Sequence, residues 1–423
     1  MKNFLIPERT DSKTLRIVYI VISLILSGTF IFRLLWTLWG LKFPDINSFN
    51  YSELLINFQG GFVRRGLLGE IIFQVCSITG LSPLWLIQVI CFISFFIVVG
   101  FFFHKFYSLK LNWWILTTPF LLGFMVYFIR KDYLCYCILI SMLYCVRGNV
   151  NSGIRLFVLL CLGILGLLIH EAFIFFGLPI CTLLLLCQKG NNTIVKMIVP
   201  VVWVCIFLLL CVFKGEESVY NGIINSWQGA FPYLDISPDA RAIKALSWTL
   251  GYTFDLHTHF NFHSQELGWY TTFIRIIYLF AIYFLITNFF FYFKGYSRFN
   301  EASRTLLSTL FIFSIICLLP MFVFLSCDYG RLYQYAFIAV LSSYLIIPQK
   351  YLISAFGDRI LGMVERFNRY ITFSPNLMKV ILVAELFTLG EAPWGFSPIA
   401  GFFTTPIGTV YSALSVLYHF FIS

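Results

Sequence analysis

The sequence predicts an all-α, polytopic transmembrane helical bundle of about 10 to 12 spans, each needing roughly 20 apolar residues to cross. Three observations carry that expectation. Of the 423 residues, 60% are hydrophobic and only 11% charged, where a globular chain carries about a quarter charged residues. Mean hydropathy is +0.87 and is spread over many long apolar runs, so bilayer hydrocarbon is the solvent for most of the chain. The 50 Phe and 23 Tyr stand on continuous runs and not on short alternating segments. That excludes an outer-membrane barrel, the other architecture that satisfies its backbone in lipid.

The first span is Ile17 to Trp39. Glu8 and Asp11 stand among the basic residues before it and no small-residue cleavage site follows, so it reads as a retained span and not as a signal peptide. Residues 40–82 form a first outer loop in which Leu67 to Thr79 is a surface-lying or re-entrant helix. Pro83 to Phe103 and Leu111 to Ile129 are the next clear spans, and Tyr133 to Val146 is a short one. Leu156 to Cys187 is too long for one crossing and is expected to be a hairpin turning at His170 and Glu171. Met197 to Phe213 precedes a large outer loop at 214–268, after which Trp269 to Phe293, Thr305 to Cys327 and Leu332 to Pro348 complete the clear spans. Residues 349–379 read as a cytoplasmic amphipathic segment, and Pro393 and Pro398 interrupt the tail. No internal repeat or low-complexity linker appears, so one membrane domain over 1–423 is expected.

Charge gives the orientation. With the amino terminus inside, the inner connections hold 18 of the 29 Lys and Arg but five of the 19 Asp and Glu, a balance of +13 against −3 for the rest of the chain. Positive-inside bias supports that assignment. The net charge of +10 is therefore read as membrane orientation, and no nucleic-acid partner is expected. The 12 Cys are scattered singly through apolar runs with no CxxC framework, which reads as small core residues.

On this topology the unusual polar groups gather on the outer face. Arg64 and Arg65 lie between Gly60-Gly61 and Gly66, just before the Leu67 helix. Glycines let backbone approach a ligand, and guanidinium groups at a helix start suit a diphosphate. Headgroup anchoring is the plainer use of such arginines. Asp45 in the same loop is a candidate proton acceptor for a hydroxyl; Glu53 reads more simply as an exposed loop carboxylate. Arg130, Lys131 and Asp132 form either an ion-paired turn or a second anion contact, and Arg331 either pairs with Asp328 or adds to an anion site. His170 and Glu171 interrupt an otherwise apolar run, and ionisable groups at that depth are functional by default. Asp255, His257, His259 and His263 match no standard zinc spacing, so no metal site is expected. Together with Trp227 and the other aromatics of that loop they suit sugar, whose rings stack on aromatic faces while polar groups take hydroxyls; the same aromatics equally suit an interfacial belt.

A first span, an outer loop with an acid (Asp45), a non-crossing helix, outer arginines (Arg64, Arg65, Arg331), a mid-chain histidine (His170) and a large outer loop together resemble the GT-C-type membrane glycosyltransferases. Within them the pattern is similar to the bacterial O-antigen and capsular polysaccharide polymerases. The acid pair of the metal-dependent relatives is absent, Asp45 having no acidic neighbour. The resemblance implies glycosyl transfer between sugars carried on undecaprenyl diphosphate at the periplasmic face of the inner membrane, without a soluble cofactor. Arginines would hold the diphosphate, and a carboxylate or His170 would activate the acceptor hydroxyl. The implied partners are the lipid-linked glycan, the bilayer and other polysaccharide-assembly proteins. A single-sugar transferase using a polyprenyl-phosphate donor, a lipid-linked oligosaccharide flippase or other transporter, and a non-catalytic assembly subunit stay open as alternatives.

Overall fold

A computed structural model describes residues 13–42, 44–109, 129–148, 151–188, 193–213, 215–258, 301–325 and 329–370, with single positions or short pieces at 283, 287, 408, 410–412 and 414–415. The described elements are helices, and no strand occurs among the described residues. In chain order they begin with α1 (Lys13–Gly40), α2 (Phe49–Leu54), α3 (Gly66–Thr79), α4 (Pro83–Ser108) and α5 (Asp132–Arg147). α6 (Ser152–Ile169), α7 (Phe173–Phe176), α8 (Leu178–Leu186) and α9 (Thr193–Val212) follow. Then come α10 (Glu217–Ala230), α11 (Arg241–Lys244) and α12 (Leu250–Thr258), and finally α13 (Glu301–Pro320), α14 (Tyr329–Ile346) and α15 (Gln349–Tyr370).

Among the described residues four helices are long and apolar enough to cross a membrane: α4, α6, α9, and α13 with its π-helical continuation. The pair α14 and α15, bent by 115°, makes a fifth if counted as one span. The described residues thus hold fewer such helices than the expected 10 to 12. The expected spans at 111–129 and 269–293 lie almost wholly outside them. α3 has 14 residues, about 21 Å of helix, which is short of the ~30 Å hydrocarbon core.

The chain divides into two compact units, one of Met1–Trp39, Val99–Val126 and His257–Ser423, the other of Gly40–Val98 and Tyr127–Leu256. In the second unit α6 runs to Ile169, His170 leaves helical geometry at φ −155° and ψ 117°, and α7 and α8 return. The two arms close at their far end. There Arg155 donates to Gln188 (2.6 Å), and Gln188 donates to the Val146 carbonyl (2.7 Å). Lys196 caps the same end through the Gln188 carbonyl. α9 packs on α6, where Gly163 leaves room for the fully buried Trp203 ring. The other side of α9 carries Ile198, Val201 and Leu208, all more than half exposed. An apolar face of that extent belongs against lipid or another apolar surface and not against water.

The segment expected to be a large loop is instead mostly helical, as α10 to α12, and is bonded along the 45–57 segment. Asn57 donates to Ser226 (2.9 Å), Trp227 to the Leu55 carbonyl (2.7 Å), and the Ala242 amide to Ser52 (3.1 Å). Asn47 donates to the Asp235 carbonyl and accepts from the Ser237 amide. Phe73 of α3 meets Trp227 and Phe231 of α10 edge-on. Two stretches nearly 190 residues apart in sequence therefore form one layer, and that layer fixes the position of α2.

Candidate functional site

Four separate segments of the second unit meet at the tip of the α6–α7 hairpin: α2 brings Glu53, the start of α3 brings Arg64 and Arg65, the start of α5 brings Lys131, and the hairpin tip brings His170 and Glu171. Arg65 is the N-cap of α3 and has φ 66°, the one positive-φ residue other than glycine among the described residues. A left-handed side chain costs about 1–2 kcal/mol, and the surrounding bonds hold it there. Its Nε donates to both Glu171 oxygens at 2.8 Å, its Nη2 also donates to Glu171, and its Nη1 donates to Glu53 at 3.1 Å. Lys131 donates to the Arg65 carbonyl at 2.6 Å.

His170 completes the cluster. Its Nδ1 accepts the Ala172 amide at 3.1 Å, so the neutral ring carries its proton on Nε2. That nitrogen lies 3.5 Å from Glu53. Glu53 is 1% exposed, Lys131 0% and His170 3%, a depth at which unpaired charge costs several kcal/mol. Burial works against the Glu171 charge, yet Arg65 and Arg64 hold its carboxyl well below the usual carboxylate range. Burial pushes the Lys131 ammonium down from 10.5 to about 8, against the opposing pull of Glu53.

The Lys131 shift has a measurable sign. Between about 8 and 10.5 the unfolded chain binds more protons at this lysine than the folded one, so its contribution to folding stability rises with pH across that window. The stability of the native chain relative to Lys131→Met is expected to increase from pH 8 to pH 10 and to stay flat below pH 7. Chemical unfolding of both chains at matched pH reads it; a difference that does not change with pH would mean an ordinary, solvated lysine.

Arg64 differs from its neighbour. Its Nη2 makes a long 3.4 Å bond to the Ala245 carbonyl, its Nη1 lies 3.8 Å from Glu171, and its buried Nε has no hydrogen-bond partner. Arg64, Arg65 and Lys131 thus face two carboxylates. The cluster carries an excess of positive charge, and Arg64 is where donors are left over.

Several expectations change. Arg65, expected beside Arg64 in a diphosphate clamp, pairs here with two carboxylates, Glu171 and Glu53. The flanking glycines serve internal contacts: a Cβ on Gly60 would meet the Val219 carbonyl at 2.2 Å and one on Gly66 the Phe58 ring at 2.3 Å. Asp45 lies outside the cluster, where its carboxylate accepts the Asn47 and Ser48 amides of a turn leading into α2. Trp227 is fully buried with its indole N–H on Leu55, which makes it a core residue and leaves no face for a sugar. Arg130, Lys131 and Asp132, expected as a turn, are all buried.

Arg331 belongs to the other unit, its guanidinium 5.8 Å from the Tyr335 ring. Asp255 is exposed on α12. The His257 side chain, His259, His263 and Asp328 lie outside the described residues, among which no group of three or more His, Cys, Asp or Glu could hold a metal ion. Glu53 is the site residue that the sequence reading passed over. A signal was available, since it is the lone charge between Phe49 and Phe58. Compared with protein-family models, curated proteins and solved structures, the chain matches none.

Proposed function

We propose that the chain is an integral membrane glycosyltransferase that polymerises oligosaccharide units carried on undecaprenyl diphosphate, working at the periplasmic face of a bacterial inner membrane. The observation that carries this reading is the Arg64 guanidinium, with a buried and unpartnered Nε, beside a carboxylate that Arg65 holds in a fixed orientation. A donor set of that kind is suited to a phosphate oxygen whose charge grows as a bond breaks.

In the proposed reaction the acceptor hydroxyl oxygen bonds to the anomeric carbon of the donor sugar. The bond from that carbon to the diphosphate oxygen breaks, and undecaprenyl diphosphate leaves with the electron pair. Glu171, the more open of the two carboxylates and held ionised by Arg65, accepts a hydrogen bond from the attacking hydroxyl, whose proton leaves to water as the new bond forms. Arg64 takes the charge developing on the leaving diphosphate. His170, whose Nδ1 is occupied by the Ala172 amide, orients Glu53 and is not itself the base.

The test is reconstitution. Purified chain in liposomes with undecaprenyl-diphosphate-linked oligosaccharide is expected to yield longer lipid-linked glycans, and Arg64→Lys to slow this about a hundredfold, by analogy with losing one preorganised donor. Glycan that crosses the bilayer without lengthening would overturn the reading in favour of transport.

A further inference from the structure

A second surface belongs to the other unit, on α15. Gln349, just past α14, donates to Ser303 at 3.2 Å and to the Tyr344 hydroxyl at 2.9 Å, so α14 ends beside the start of α13. The chain then bends by 115° into α15. Gly357, at φ 72° and ψ 157°, breaks α15 into two parts, a conformation that L side chains avoid. The second part is tied back to the first turns of α13. Asn368 donates to Ser308 (3.0 Å) and accepts from Tyr283, and Arg304 reaches the Asn368 carbonyl at 3.4 Å. Residues 358–370 are therefore held beside the first turns of an apolar, membrane-length helix, near where a bilayer has its headgroups.

The faces of this segment are sorted by chemistry. At about 100° per residue, Val364 and Asn368 point inward and are buried. Beside them runs a stripe of Ile360, Met363, Phe367 and Tyr370, exposed by 48, 58, 45 and 88%. Arg359 and Arg366 border that stripe, both exposed and neither in an ion pair among the described residues. Asp358 and the Glu365–Arg369 pair stand on the far side. The order of apolar stripe, then arginine, then acid is the one an interfacial helix needs, with its acids furthest from lipid phosphate.

We propose that residues 358–370 form an interfacial helix whose apolar stripe enters the acyl boundary of the bilayer while Arg359 and Arg366 bind the phosphates of anionic phospholipids. Two features of the fold select lipid over a second protein: the segment is continuous with α14 through the 115° bend, and it is tied to the end of α13. An anionic headgroup also complements two exposed arginines that pair with no carboxylate among the described residues.

The full chain is placed in lipid nanodiscs with an environment-sensitive amino acid at position 363 or, as control, at position 365. Lipids brominated near the carbonyl end of the acyl chain should quench the probe at 363 and leave that at 365 bright. In native mass spectrometry of the full chain, phosphatidylglycerol should be retained over phosphatidylcholine, and Arg359→Gln and Arg366→Gln should each lower that preference about fivefold. Quenching that is equal at both positions, or a preference unchanged in the double variant, would overturn the proposal. So would a probe at 363 that is shielded from water yet not quenched, since a protein partner would then cover the stripe.

Discussion

Replacing Glu171 by glutamine is expected to lower the stability of the unit that contains it by about 3 kcal/mol, the lower end for breaking a buried ion pair. Arg65 directs three of its donor contacts at that carboxylate. Glutamine keeps one acceptor oxygen and turns an NH₂ group towards a guanidinium that cannot lose its proton, leaving Glu53 as the remaining counter-charge. The lower figure applies because the two side chains retain 19% and 16% exposure. The sign with pH follows from the depressed Glu171 carboxyl. Its contribution is present above the ordinary carboxylate range and is lost only as pH falls well below it. Thermal unfolding in detergent measures the loss, and Arg65→Met in the same chain should restore part of it. Strictly additive losses in the double variant would show that the two side chains do not act as a pair.

Gly69→Ala is expected to cost at least as much, about 3 kcal/mol, for a reason unrelated to charge. A Cβ at Gly69 would stand 2.0 Å from the Ile56 carbonyl oxygen and 2.6 Å from its carbon. The obstacle is backbone and not the end of a flexible side chain, so α3 and the 53–56 segment have to separate. That moves Arg65 away from Glu53, and the proposed transfer activity should fall with stability. Gly100→Ala provides the contrast. It lies within α4 with nothing within 4 Å of the added carbon, and it should raise stability by up to about 1 kcal/mol through helix propensity. Equal effects at the two positions would mean that the α3 contact is not made in the folded chain.

The parts legible in the sequence were those written as local pattern. The long apolar runs gave α4, α6 and α9, and the lone His170-Glu171 interruption located the hairpin tip, because a polar pair inside such a run has few places to go except a turn. The 14-residue α3 was legible from the length of its apolar run. The pairing of Arg65 with Glu171 was not, since charge pattern says nothing about which residues 106 positions apart will meet. Trp227 and Asp45 misled for the same reason. An aromatic or a carboxylate in a polar stretch has the same local signature whether it meets a ligand, a turn amide or the core. The 214–258 helices were hidden because their buried faces pack on the 45–57 segment and not on one another.

The distance in sequence between Arg65 and Glu171 also sets a timetable. At about 5 to 20 residues per second, the 106 residues between them take roughly 5 to 20 seconds to synthesise. Throughout that interval α3 exists without the carboxylate that later pairs with its N-cap, Arg65, and Ser226, which meets Asn57, emerges later still. The nascent α3 must therefore wait at the water boundary with its arginines solvated, and it can settle only when the hairpin is inserted beside it. A chain released before Glu171 would present two guanidinium groups with Glu53 as their one counter-charge in the cluster, a defect visible to cellular proteolysis before any later span is made.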